Sequence, residues 1–117
     1  MEIRERGVGS VTILDLNGKF VRGDGDNLLK DKVNSLLFQG QRHILLNLGG
    51  VSYVDSSGLG EIIASYTSVG RQGGQIKLLN LTKRVQDLLA ITKLLTVFES
   101  FESETEAIKS FPPSVGA

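Results

Sequence analysis

The chain has 117 residues, of which 40% are hydrophobic, so its length and composition fit one domain with an ordinary core. Thirteen basic and thirteen acidic residues give a formal net charge of zero, which argues against binding nucleic acid through general electrostatic attraction. Cysteine is absent, so the sequence offers neither disulfides nor thiolate chemistry. The sequence contains no apolar run long enough for a membrane span and no signal-peptide pattern, and we expect a cytoplasmic location.

The first part of the chain predicts a β-hairpin followed by a helix. Residues 2–6 give a weak strand signal, and Val11–Leu16 is a stronger one that we expect to end at Asn17-Gly18. Because a short glycine turn separates these strands, they should pair antiparallel. The helix that follows carries leucine and valine on one face, and we expect Asp24 or Asp26 to cap it.

The middle of the chain predicts a buried strand that leads into a second helix. Ile44–Leu48 is a continuous apolar run, as is typical of a central strand that is covered on both faces. The stretch Val54–Glu61 then forms a loop that feeds a helix from about Ser57 to Val69. The predicted apolar face of this helix consists of Leu59, Ile62, Ile63, Tyr66 and Val69.

The last third predicts two strands and two helices. Gln75–Asn80 reads as the fourth strand, and Thr82 is a suitable N-cap for the next helix. Val97–Phe101 alternates and predicts a short last strand. Ser103–Glu106 matches the S-x-x-E capping box, which predicts a short final helix, and residues 112–117 should form a loose tail.

The order of these elements is β-β-α-β-α-β-α-β-α, which is typical of the α/β class. We expect a single domain over residues 1–117. Its sheet should be mixed and four- to five-stranded, with an antiparallel opening hairpin and otherwise mostly parallel strands, flanked by about four helices.

Several kinds of catalytic site find no support in the sequence. His43 is the only histidine, so a metal site lacks a second histidine ligand and a nucleophilic serine lacks an obvious base. The glycines at positions 58 and 60 match the pattern of neither a phosphate-binding loop nor a dinucleotide-binding loop. We therefore expect a protein that is not an enzyme and has no metal or cofactor.

The junction between the third strand and its helix is where we expect the function. The start of a helix has unpaired N–H groups and partial positive charge, which suit an oxyanion or a phosphate. Asp55, Ser56 or Ser57 could simply cap the helix there. Capping does not explain Gly58 and Gly60, because glycine costs about 1 kcal/mol relative to alanine in a helix interior. Both glycines look like room for an approaching group.

A row of small residues extends this pattern along the same helix. Gly60, Ala64 and Ser68 recur every four residues, on the side opposite the predicted apolar face. Such a row lets a partner surface come close, although ordinary small surface residues would give the same pattern.

The stretch Val54-Asp55-Ser56-Ser57-Gly58-Leu59-Gly60 resembles the signature of bacterial anti-sigma-factor antagonists, which belong to the STAS-domain family. Ile13–Gly18, Ile44–Leu48 and Gly73-Gly74 followed by Ile76 resemble the family as well. The resemblance implies a mixed sheet flanked by helices and a function in partner switching. The unphosphorylated antagonist binds an anti-sigma factor that is also a serine kinase, which frees a sigma factor. The kinase then phosphorylates the serine after the aspartate, Ser56 by motif match, and a phosphatase resets it.

The same resemblance leaves alternatives open. Residues 19–24 depart from the family pattern in a loop that lies near the partner face in the family. STAS domains also serve in stressosome scaffolds and as parts of transport systems, so a subunit of such an assembly is one alternative. A small nucleotide-binding module is another, although the sequence offers no further phosphate ligands.

Overall fold

The structure is a computed structural model that describes residues 1–23 and 26–112. Within these residues it contains one five-stranded sheet and four helices. The strands are β1 (Glu2–Val8), β2 (Val11–Phe20), β3 (His43–Val54), β4 (Gln75–Leu79) and β5 (Ser100–Phe101). The helices are α1 (Leu28–Phe38), α2 (Ser56–Arg71), α3 (Lys83–Ile91) and α4 (Glu104–Ser110). The strands lie in the order β1-β2-β3-β4-β5, with β1 antiparallel to β2 and every other pair parallel. The predicted fold class is confirmed.

The sheet has two apolar faces because successive side chains of a strand point to opposite sides. Leu14, Leu46 and Leu78 face the larger core, which they share with buried residues of α1, α2 and α3. Ile13 and Leu45, each one position away, face a smaller core that α4 covers. Three helices therefore lie on one side of the sheet and the short α4 on the other.

Polar contacts fix α4 against the sheet. The Lys77 side chain is buried, and its Nζ donates to the Ser110 carbonyl oxygen at 2.9 Å and to the Ser110 hydroxyl at 3.0 Å. Its ion pair with Glu99 has an Nζ–Oε2 distance of 3.2 Å. A buried ammonium group needs such partners, because an unpaired one would lose its hydration without compensation.

Two strands run further than the sequence predicts. Asn17-Gly18 does not end β2, which continues to Phe20 with two irregularities in its pairing, and β3 continues to Val54. Gly50 allows this, because a Cβ atom there would lie 1.9 Å from Oδ1 of Asn17. Pairing between the strands therefore overrides the local turn signal. The predicted last strand, by contrast, pairs only at Ser100 and Phe101.

The caps of two helices are as predicted and that of α1 is not. The Thr82 hydroxyl accepts from Val85 N–H at 3.3 Å, and the Ser103 hydroxyl accepts from Glu106 N–H at 3.3 Å. Helix α1 instead follows Asn27 in a left-handed conformation without a side-chain cap. Asp26 does not cap it, because its carboxylate accepts from the N–H of residue 23. Asp24 and residues 113–117 of the predicted tail lie outside the described residues.

None of the helices in the described parts of the chain combines the length and the apolar character that crossing a membrane requires.

Candidate functional site

The candidate site lies where β2 and β3 end together. These strands are parallel, so their carboxyl ends share one edge of the sheet, and Phe20 is the register partner of Val54. Helix α2 begins two residues later, at Ser56. Loops at the carboxyl edge of parallel strands commonly carry binding sites in α/β folds. The extension of both strands is what brings the predicted motif to this edge.

Asp55 joins the start of α2 to the loop after β2. Its Oδ1 accepts from Gly58 N–H at 2.9 Å, which makes it the N-cap of α2. Its Oδ2 accepts from Arg22 N–H at 2.9 Å. Backbone hydrogen bonds from Arg22 and then Gly58 hold the pKa of Asp55 below its usual range, because they stabilise the ionised form. Of the three capping residues that the sequence leaves open, the aspartate takes this role.

Ser56 is left exposed by this arrangement. It is the first residue of α2, and its hydroxyl makes no hydrogen bond with the part of the chain that the structure describes. Ser57 is half-buried. Ser52 is exposed, but its hydroxyl lies 3.5 Å from the Gly18 carbonyl oxygen. Ser56 thus combines free access with a position at the positive end of a helix.

The two glycines of the first turns of α2 have different surroundings. Gly58 is buried, and a Cβ atom there would lie 2.2 Å from the Phe20 carbonyl oxygen and 2.8 Å from Cδ1 of its ring. The space that we expected for a partner at this position is therefore filled by the end of β2. Gly60 is exposed, and a Cβ atom there would have open space around it. Of the two positions, only Gly60 leaves room on the outside of the molecule.

The predicted faces of α2 are partly rearranged. Leu59 is only 7% exposed and belongs to the helix-covered core. Ile63 and Tyr66, which we expected in the core, are 37% and 38% exposed. In the predicted row of small residues Gly60 is exposed, whereas Ala64 and Ser68 are half-buried. A step of four residues turns a helix by about 400°, so a row at this spacing winds slowly around the axis. The exposed surface of α2 near Ser56 consequently mixes small and apolar side chains.

A second group of side chains at this edge was not singled out in the sequence. Tyr53 is 45% exposed, and the Arg84 guanidinium lies 5.6 Å from the centre of its ring. With Lys19, Val21 and Ser52 these residues line one groove. Lys19 and Tyr53 are register partners on β2 and β3, a relation that depends on strand pairing past Asn17-Gly18. Because Asn17-Gly18 signals the end of a strand, the sequence alone does not indicate that Lys19 and Tyr53 are neighbours.

In the described ranges, no three His, Cys, Asp or Glu side chains converge closely enough to hold a metal ion.

Comparison with known proteins places this geometry in a family. A model of the STAS domain matches residues 2–107. An anti-sigma-B factor antagonist of Listeria monocytogenes is 32% identical over 110 residues, which cover 91% of each chain. One of Bacillus subtilis is 38% identical over 72 residues, which cover 62% of this chain and 65% of that protein. The crystal structure of a Thermotoga maritima protein superimposes with a TM-score of 0.86 at 25% identity, covering 93% of each chain. This chain belongs to the STAS domain family.

Proposed function

We propose that this chain is an anti-sigma-factor antagonist. In its unphosphorylated state it binds a cognate anti-sigma factor that is also a serine kinase, and the binding releases a sigma factor. Phosphorylation of Ser56 by the kinase ends the binding, and a phosphatase restores it. The protein is a regulatory switch and a kinase substrate. The names of its Listeria and Bacillus relatives support this reading. The observation that carries it is the exposed Ser56 hydroxyl at the start of α2, which has no hydrogen-bond partner among the described residues.

The surroundings of Ser56 suit a phosphate acceptor. A kinase must reach the hydroxyl, and Ser56 is more open to solvent than Ser57. The phosphate would add about −1.5 to −2 charges at pH 7, beside the partial positive charge of the helix start. The Asp55 carboxylate stays in place meanwhile, because both of its oxygens already accept backbone hydrogen bonds.

The exposed side of α2 supports a close-packed partner surface. Gly60 offers open space one turn after Ser56, and Ile63 supplies exposed apolar area one turn further on. A partner that covers these positions would also cover Ser56. A phosphate there would lose water without a prepared partner, which costs several kcal/mol. A complex of micromolar affinity is held by about 8 kcal/mol, so such a cost is enough to separate it.

The test is capture of binding partners from the source cells with three forms of the chain. Wild type after phosphatase treatment and Ser56→Ala should both retain a serine kinase of the anti-sigma type, and Ser56→Glu should lose it. On addition of ATP the wild type should be released while Ser56→Ala stays bound. Ser57→Ala is the matched control and should behave as wild type does.

Mass mapping of the labelled wild type completes the test. We expect the phosphate on Ser56. Labelling mainly at Ser57 or Ser52 would overturn the site, and capture of a permease or a transport ATPase without any anti-sigma kinase would overturn the function.

A further inference from the structure

The groove beside the candidate site carries positive charge that no acidic side chain of the described residues pairs with. Lys19 and Arg84 are both exposed, and neither forms an ion pair with the described part of the chain. The other lining residues, Val21, Ser52 and Tyr53, include no acidic side chain. The groove therefore joins two cations to an exposed aromatic ring.

The carboxylate next to the groove in the sequence forms no ion pair with these cations. Asp55 follows Tyr53 by two positions, but its two oxygens accept from Arg22 N–H and Gly58 N–H. Asp87, on the same helix as Arg84, pairs with Lys83 at an Nζ–Oδ2 distance of 3.8 Å. Among residues 1–23 and 26–112, no carboxylate is thus paired with Lys19 or Arg84, and the groove can accept an anionic group from another molecule.

The groove is also within reach of any partner that covers Ser56. Ser56 comes three positions after Tyr53, so their Cα atoms are at most about 11 Å apart. Protein interfaces commonly bury about 800 Å² on each partner, an area that would span both places. Exposed Tyr and Arg side chains are the types that most often contribute strongly to such interfaces.

We propose that this groove, formed by Lys19, Val21, Ser52, Tyr53 and Arg84, binds an acidic segment of the protein that covers Ser56. The carboxylates of the segment pair with Lys19 and Arg84, and its apolar side chains pack on Tyr53. This inference rests on the proposed function, since the occupant is a segment of the anti-sigma partner. It adds a second point of recognition, which selects the partner by charge.

The proposed docking is coupled to phosphorylation by charge alone. A phosphate on Ser56 and an acidic segment in the groove have the same sign, and the Cα atoms of Ser56 and Tyr53 are at most about 11 Å apart. This upper bound is comparable to the Debye length of about 8 Å at physiological salt. The repulsion between the phosphate and the segment weakens the segment's binding at low salt and fades as salt rises. The groove would thus reinforce the loss of the partner without any change in the fold.

The first experiment needs no partner protein. Isotope-labelled chain is titrated, in dilute buffer, with an eight-residue peptide that alternates Asp and Leu, and separately with the same peptide carrying Asn in place of Asp. We expect the acidic peptide alone to shift the backbone amide signals of residues 19–22, 52–53 and 84. Arg84→Glu should weaken its binding about 2- to 5-fold, the scale of exposed charge pairs. Lys109→Glu is the matched control, since it makes the same charge change on α4, and it should bind as wild type does.

The Arg84→Glu variant should fold normally. Arg84 is exposed and lies in the first turn of α3, where a carboxylate is favoured by the helix dipole. Circular dichroism and the melting temperature check this. Tyr53→Ser provides a second variant, which removes the ring and leaves the charges unchanged.

The second experiment uses the anti-sigma kinase captured as described above. Arg84→Glu and Tyr53→Ser should each weaken its binding, and Arg84→Glu should also reduce the dependence of affinity on salt. Equal shifts with both peptides, or shifts elsewhere, would overturn the proposal, as would unchanged kinase affinity in both variants. If wild type captures no anti-sigma kinase, the proposed function fails, and the peptide titration alone then decides whether the groove binds acidic segments.

Discussion

The two glycines at the start of α2 should respond in opposite directions to the same substitution. Gly58→Ala places a Cβ atom 2.2 Å from the Phe20 carbonyl oxygen, and the two atoms must separate by about 1 Å to reach ordinary contact. That oxygen belongs to the backbone and also lies 3.3 Å from the N–H nitrogen of Asp55, so it cannot move alone. Gly60→Ala meets nothing within 4 Å. The pair therefore separates a glycine that the fold requires from one that it does not.

The magnitudes follow from packing and helix propensity. Forcing one extra carbon into a filled site costs about 1–3 kcal/mol, and the gain in helix propensity offsets less than about 1 kcal/mol. With 117 residues, 1 kcal/mol corresponds to about 4 °C in melting temperature. Gly58→Ala should thus lower the melting temperature by several degrees, whereas Gly60→Ala should raise it by about 2–4 °C.

Thermal unfolding followed by circular dichroism measures both variants against wild type. Urea unfolding at 25 °C gives the free energies directly, and equal slopes in urea would show that the comparison is valid. If Gly58→Ala is as stable as wild type or more stable, the close approach of α2 to the end of β2 is not a packing constraint. If Gly60→Ala is clearly less stable, its surroundings are not open.

Three further predictions concern the same edge of the sheet. The hydrogen bond from Arg22 N–H is the main reason that the pKa of Asp55 is lowered. The ionised carboxylate therefore stabilises the fold above the ordinary pKa of 3.8, and this stabilisation is lost as the pH falls through the lower folded pKa. Between pH 7 and pH 2, the melting temperature of Asp55→Asn should fall less steeply on acidification than that of wild type. Gly60→Arg and Ala64→Arg should each abolish binding of the anti-sigma kinase with an unchanged circular dichroism spectrum, and normal affinity in either variant would show that this side of α2 is merely solvent-facing. Phosphorylation of Ser56 should change melting temperature and amide exchange very little while affinity for the kinase collapses, and altered exchange far from residues 54–70 would refute a switch without rearrangement.

Much of the fold could be predicted because its signals are local. A hydroxyl side chain accepts an N–H three residues later, so Thr82 and Ser103 identify the helix starts from four residues of sequence. The apolar run Ile44–Leu48 likewise predicts a buried strand by itself, since every second side chain must face each core. These signals need no knowledge of what lies across the sheet.

The parts that could not be predicted depend on residues far apart in the chain. Asn17-Gly18 signals a turn locally, but pairing with the second half of β3 carries the strand on to Phe20. The contact between Gly58 and Phe20 joins positions 38 residues apart, so the sequence reveals a glycine without revealing what it accommodates. Periodicity places Tyr66 in the core for a similar reason, whereas in the structure its ring packs edge-on against Phe98 at 5.0 Å between ring centres and stays 38% exposed.

The same contacts explain how the proposed switch site can be attached to a stable fold. Asp55 caps α2 and holds the loop after β2, so its carboxylate serves the structure. Ser56, one residue later, contributes no side-chain hydrogen bond to the described residues. The α2 start consequently keeps its cap whatever happens to the serine hydroxyl. Asp55 and the proposed phosphorylation site Ser56 are adjacent, so the start of α2 keeps a fixed geometry around the hydroxyl. A phosphate added to Ser56 should therefore act mainly on whatever is bound to the outside of the domain.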